Sequence, residues 1–83
     1  MRIRVVQPER PSADPRRLVF RVEWDGEAWA VVREFVGERT AMLNGFGQLV
    51  ARLGIADRPE VVDRLRDIFL TGGYDSLPQD VEW

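Results

Sequence analysis

The sequence predicts an α+β fold, in which a small antiparallel sheet of three to four strands is followed by two helices and a short third C-terminal helix. Two observations lead to this prediction. Apolar and polar residues alternate in the first half of the chain, as in half-buried strands. In the second half, apolar residues recur at helical spacing between capping and glycine signals. A length of 83 residues indicates a single domain, 1–83.

The strands are predicted from this alternation and from the turns between them. Residues 2–5 alternate and form a short first strand, and residues 8–17 form a Pro-rich loop. The clearest strand is 18–24, where one face carries Leu18, Phe20, Val22 and Trp24. A further strand runs from Glu27 to about Val36. After a turn at 37–38, residues 39–43 return as another strand.

The Asp25-Gly26 pair predicts a two-residue hairpin turn, because both residue types tolerate positive φ. In that register Phe20 faces Val31 and Val22 faces Trp29. The core face then consists of Phe20, Val22, Trp29, Val31 and Phe35. A three-residue loop would instead pair Val22 with Ala30 and Phe20 with Val32. The turn rule favours the first register, and the second stays open at this point.

The first helix is predicted to begin at Asn44 as N-cap and to end at Gly54 as the residue after the helix. Its apolar stripe consists of Phe46, Leu49, Val50 and Leu53. Gly45 and Gly47 lie in its first turn. They either allow another element to approach the backbone closely or mark ordinary N-terminal fraying, which we favour.

The second helix is predicted from Asp57 as a cap with Pro59 in the first turn, and it ends at Gly72-Gly73. Its apolar stripe consists of Val61, Val62, Leu65, Ile68 and Phe69. Glu60 and Arg64 are spaced for an i, i+4 ion pair. A capping-box pattern over residues 76–79 then predicts the start of the third helix.

Missing residue types exclude several kinds of catalytic site. The chain contains no cysteine and no histidine, and its twelve basic residues are all arginine. Schiff-base, thiol and imidazole chemistry therefore have no residue to carry them. Asp63 and Asp67 are one helical turn apart and are interpreted as solvated surface charges. We expect a protein that is not an enzyme, with no catalytic residues, no metal and no cofactor.

The chain has neither an apolar run of about 18 residues nor a signal-peptide pattern, so a cytoplasmic protein with no membrane partner is expected. Charge is unevenly placed along it. Residues 1–22 carry only two acids, Glu9 and Asp14, but six arginines: Arg2, Arg4, Arg10, Arg16, Arg17 and Arg21. Such a basic quarter could bind the phosphates of a nucleic acid. We favour the interpretation that these arginines line the solvated face of an edge strand.

The order of hairpin, Leu43-Asn44, helix and capped helix resembles the small winged-helix modules that bind leader peptides in ribosomal peptide biosynthesis (the family of the pyrroloquinoline quinone peptide chaperone). The matching positions are Gly37, Arg39, Leu43, Asn44, Gly47, Val50, Leu53, Glu60, Val61, Val62, Leu65, Phe69, Asp80 and Val81. The family's third helix is longer than the eight residues after Asp75 allow.

This resemblance implies that a leader peptide adds as a strand to the sheet edge and packs beside the third helix. The edge would consist of Arg39, Thr40, Ala41 and Met42. Leu77 and Val81 would supply the contacts from the helix. We therefore expect a non-catalytic peptide- or protein-binding module. The alternatives are a small nucleic-acid-binding regulator that uses the basic N-terminal quarter, and a subunit of a larger assembly such as a phage particle.

Overall fold

The structure is a computed structural model that covers residues 1–83 and has an α+β fold. Its strands are β1 (Arg2–Val6), β2 (Arg17–Trp24), β3 (Glu27–Phe35), β4 (Ala41–Asn44) and β5 (Gln79–Glu82). Its helices are α1 (Phe46–Leu53) and α2 (Pro59–Thr71), followed by a short 3₁₀ turn (Tyr74–Ser76). The five strands form one antiparallel sheet in the order β4-β3-β2-β1-β5. Neither helix is long and apolar enough to cross a membrane.

The sheet has one strand more than the sequence predicted, because the expected third helix is instead β5. This strand pairs antiparallel with β1, so that Ile3 faces Val81 and Arg4 faces Asp80. The Ser76 hydroxyl does not cap a helix that follows it. It turns back and bonds to the backbone of Gly73, which closes the 3₁₀ turn. The next residues are then free to extend, and Val81 becomes fully buried while its charged neighbours face outward.

The predicted two-residue hairpin between β2 and β3 is confirmed. Asp25 and Gly26 have φ values of 44° and 77°. The register pairs Phe20 with Val31 and Val22 with Trp29, as the turn rule favoured. The predicted core face is only partly correct, because Trp29 is half-buried and Phe35 is exposed.

Both helices pack on one face of the sheet and form a single core with it. Two aromatic contacts centre this core: the Phe69 ring lies 5.4 Å from the Phe20 ring and 5.8 Å from the Phe46 ring. The buried apolar residues are Ile3, Val5, Phe20, Val22, Trp24, Val31, Phe46, Leu49, Ile55, Val61, Leu65, Ile68, Phe69 and Val81. The core therefore draws on both halves of the chain, including its last strand.

The start of α1 differs from the prediction, since Asn44 is the last residue of β4 and makes no cap. Gly45 occupies the N-cap position with φ 89°. A Cβ on Gly45 would lie 2.6 Å from the Ala30 carbonyl oxygen. The Trp29 indole Nε1 donates to the Gly45 carbonyl at 2.9 Å. This glycine therefore permits the close backbone approach, and the fraying interpretation is wrong for it.

The other helix ends agree with the sequence in part. Gly54 ends α1 with φ 65°, and the Ile55 N–H donates to the Val50 carbonyl, which is the predicted left-handed cap. In α2, Pro59 is the first residue, but no side chain caps the helix. The surface ion pair on this helix joins Arg66 to Asp63, 2.9 Å apart, rather than Arg64 to Glu60.

Candidate functional site at the β4 edge

The β4 strand ends the sheet on one side and has unpaired backbone groups. The Val36 N–H donates to the Thr40 carbonyl, and the Phe35 N–H donates to the Arg16 carbonyl. In an antiparallel sheet the direction of these groups alternates with each residue. Thr40, Met42 and Asn44 therefore bond inward to β3, while the N–H and C=O groups of Ala41 and Leu43 point outward. No loop or side chain bonds to those outward groups.

The opposite edge, at β5, is protected by charge. The Trp83 N–H donates to the Met1 carbonyl, so the outward backbone groups in β5 are those of Asp80 and Glu82. Both side chains are acidic, and both form ion pairs with Arg2. Charged residues on an edge strand discourage another strand from pairing there. The β4 edge carries no charge within residues 40–45. Of the two edges, it is therefore the one that can pair more readily with another strand.

Exposed apolar side chains lie next to the β4 edge. Met42 is 49% exposed on the sheet face that the helices leave open. Phe35, the last residue of β3, is 41% exposed, and Val36, which follows it, is 58% exposed. Ala41 and Leu43 are half-buried on the helix face. An incoming strand would therefore meet apolar surface on both faces of the sheet.

The helix α2 lies on the helix face of the sheet near this edge, since it contacts both β3 and β4. The Arg66 guanidinium lies 5.5 Å from the ring of Phe46, the first residue of α1. Leu70 is one turn further along the same flank of α2 and is 38% exposed.

Arg33 fixes the C-terminal end of α2 to β3, a role that the sequence analysis missed. Its side chain is only 7% exposed. The Nη1 atom donates to the carbonyls of Phe69, Leu70 and Gly72 at 2.8–2.9 Å. Burial lowers the pKa of this guanidinium. The only available signal was a charged residue at a core-facing position of β3, between Val31 and Phe35.

The structure separates the two groups of residues that the resemblance placed in one groove. Arg39, Thr40, Ala41 and Met42 lie in and just before β4. Val81 is fully buried in β5 at the opposite side of the sheet, where Leu77 lies near Val6 and Tyr74. Four strand spacings separate the two edges, or about 19 Å. Leu77 and Val81 therefore cannot contact a strand added to β4.

Four of the six N-terminal arginines are held in ion pairs on the open sheet face. Arg2 and Arg4 both reach Asp80, at 2.7 Å and 3.0 Å. The hydrogen bond from Arg4, and after it the hydrogen bond from Arg2, lower the pKa of Asp80. The same bond to Asp80 raises the pKa of Arg4. The two other pairs are Arg17 with Glu34 and Arg21 with Glu23, at 3.2 Å and 2.8 Å. Acidic residues of the strands thus neutralise much of this basic face.

Arg10 and Arg16 are the two N-terminal arginines outside these ion pairs. Arg10 lies in the loop between β1 and β2. Arg16 ends that loop beside Phe35 and Glu38 in a shallow depression.

Comparison of the chain with protein-family models, with curated proteins and with solved structures finds no match.

Proposed function

We propose that this protein is a non-catalytic binding module that takes up an extended segment of a peptide or protein partner as an additional strand along β4. The observation that carries the proposal is the set of outward, unbonded N–H and C=O groups of Ala41 and Leu43 in an uncharged edge strand. Backbone hydrogen bonds would supply affinity, and alternate side chains of the partner would supply selectivity.

The surroundings of the edge define the chemistry of the partner. On the open face of the sheet, one set of the partner's side chains would lie beside Met42. On the helix face, the alternate set would lie beside Ala41 and Leu43. Both surroundings are apolar and partly exposed. We therefore expect an extended segment with apolar residues at both kinds of position, such as a leader peptide or the terminal strand of a neighbouring subunit.

The test uses a variant that blocks the edge without disturbing the sheet. In Ala41→Pro the proline removes an N–H that points away from β3, so the pairing of β4 with β3 keeps its hydrogen bonds. Ala41→Val is the matched control, because it keeps that N–H and favours a strand. Peptides are selected from a random display library on the native protein and then titrated against all three proteins.

The proposal expects peptides that bind the native protein and Ala41→Val, lose affinity at least about tenfold for Ala41→Pro, and slow amide hydrogen exchange at Ala41 and Leu43. Circular dichroism checks that both variants remain folded. Peptides that bind all three proteins equally, or a library that yields no binder, would contradict the proposal.

Nucleic acid is the alternative partner, and the same proteins distinguish it. Binding through phosphates weakens steeply as salt is raised, whereas strand addition to an uncharged edge does not. Binding that falls with salt, persists in Ala41→Pro and is lost in the double variant Arg16→Glu/Arg17→Glu would favour the basic surface over the β4 edge.

A further inference from the structure

The β4 edge is self-complementary about Met42. Its outward backbone groups belong to Ala41 and Leu43, one on each side of that residue. If two identical β4 edges pair antiparallel about a two-fold axis at Met42, Ala41 of one copy faces Leu43 of the second copy. Each such pair exchanges two hydrogen bonds, so the two pairs together make four.

Charge does not oppose this pairing. Residues 40–45 carry no charged side chain. In the two-fold register, Thr40 faces Asn44 of the second copy and Arg39 faces Gly45 of the second copy, so no like charges stand directly opposite. The β5 edge offers no such arrangement, because its outward residues Asp80 and Glu82 are both acidic.

The helix layer is spaced to allow this contact. Because α2 contacts both β3 and β4, it lies above the last two strands at this edge. In a sheet that continues from one copy into the next, the two α2 helices would then be about two strand spacings apart, or roughly 10 Å, a distance at which helices pack.

We infer that a second copy of this chain pairs with the β4 edge when no other strand occupies it, which gives a two-fold dimer with a continuous sheet. The inference concerns the same edge as the proposed function, but it does not require a peptide partner. Four hydrogen bonds and one short strand form less interface than the roughly 1,200–2,000 Å² of a stable complex. The dimer is therefore weak and exchanges readily, and a partner strand displaces it.

The absence of cysteine from the chain makes a direct test possible. In Met42→Cys the two thiols face each other at a pair without hydrogen bonds, where Cα atoms are about 4.5 Å apart and a disulfide can form. Asn44→Cys is the matched control, since it lies on the same exposed face of β4. In this register the thiols of the two Asn44→Cys copies would be about 14 Å apart.

Mild oxidation of both variants is followed on non-reducing gels. We expect the disulfide dimer to form at least about tenfold faster in Met42→Cys than in Asn44→Cys, and to slow when Ala41→Pro is added to Met42→Cys. Equal rates in the two single variants, or no dimer in Met42→Cys, would overturn the inference.

A measurement on the native chain provides a check that needs no variant. Amide exchange at Ala41 and Leu43 should slow as protein concentration rises, while that at Asp80 and Glu82 stays constant. Exchange that does not depend on concentration would also overturn the inference. Peptide titrations carried out at low concentration, where the dimer dissociates, test the proposed function separately.

Discussion

Gly45 is the N-cap of α1 and Gly47 lies in its first turn, and we expect alanine at these two positions to have opposite effects on stability. In Gly45→Ala the new Cβ would sit 2.6 Å from the Ala30 carbonyl oxygen at a φ of 89°. The left-handed conformation alone costs about 1–2 kcal/mol for a residue with a Cβ. Shifting the backbone away from Ala30 also weakens the hydrogen bond from Trp29 to Gly45, which is worth about 1 kcal/mol.

We therefore expect Gly45→Ala to lower the free energy of unfolding by about 2–4 kcal/mol, a large part of the roughly 4–12 kcal/mol that a domain of this size has. Gly47 has open space around its Cβ position. Gly47→Ala should raise the free energy of unfolding by about 0.5–1 kcal/mol, because alanine has less backbone entropy to lose.

Urea denaturation at a fixed pH, followed by circular dichroism, measures both changes. The midpoint should fall by about 1–3 M in Gly45→Ala and rise slightly in Gly47→Ala. If the first turn of α1 were merely frayed, the two substitutions would have similar and small effects. Two midpoints that differ by less than about 0.5 M would therefore refute the close-approach argument.

Two further predictions concern Arg33 and Asp80. Arg33→Met should lower the free energy of unfolding by about 2–4 kcal/mol, because three carbonyls lose their charged donor. Arg17→Met, which breaks only the exposed pair with Glu34, should cost at most about 1 kcal/mol in the same urea titration; equal losses would contradict the anchoring role of Arg33. The lowered pKa of Asp80 in the folded protein means that its ion pairs stabilise the fold at neutral pH and that this contribution is lost as pH falls below about 4. Asp80→Asn should therefore show a smaller loss of stability on acidification than the native protein, and identical pH profiles would count against this linkage.

The sequence by itself determined the β2–β3 turn and the approximate positions of both helices, because these depend on local chemistry, and the turn rule favoured the register that the structure has. Asp25-Gly26 tolerates positive φ, and the apolar spacing of α1 and α2 is periodic over several turns. The sequence also predicted a strand at 39–43, which the structure has at Ala41–Asn44. The fold class was predicted correctly at the level of an α+β arrangement.

Only the tertiary structure decided whether the C-terminal segment forms a helix or a strand. Residues 76–79 carry a helix-capping pattern, but pairing with β1 buries Val81 beside Ile3 and gives Asp80 two arginine partners. Those contacts join residues far apart in the chain, so no local pattern reveals them. The same holds for Arg33, whose three acceptors lie at the end of α2, and for the order of the strands. That order places Leu77 and Val81 at the other side of the sheet from β4.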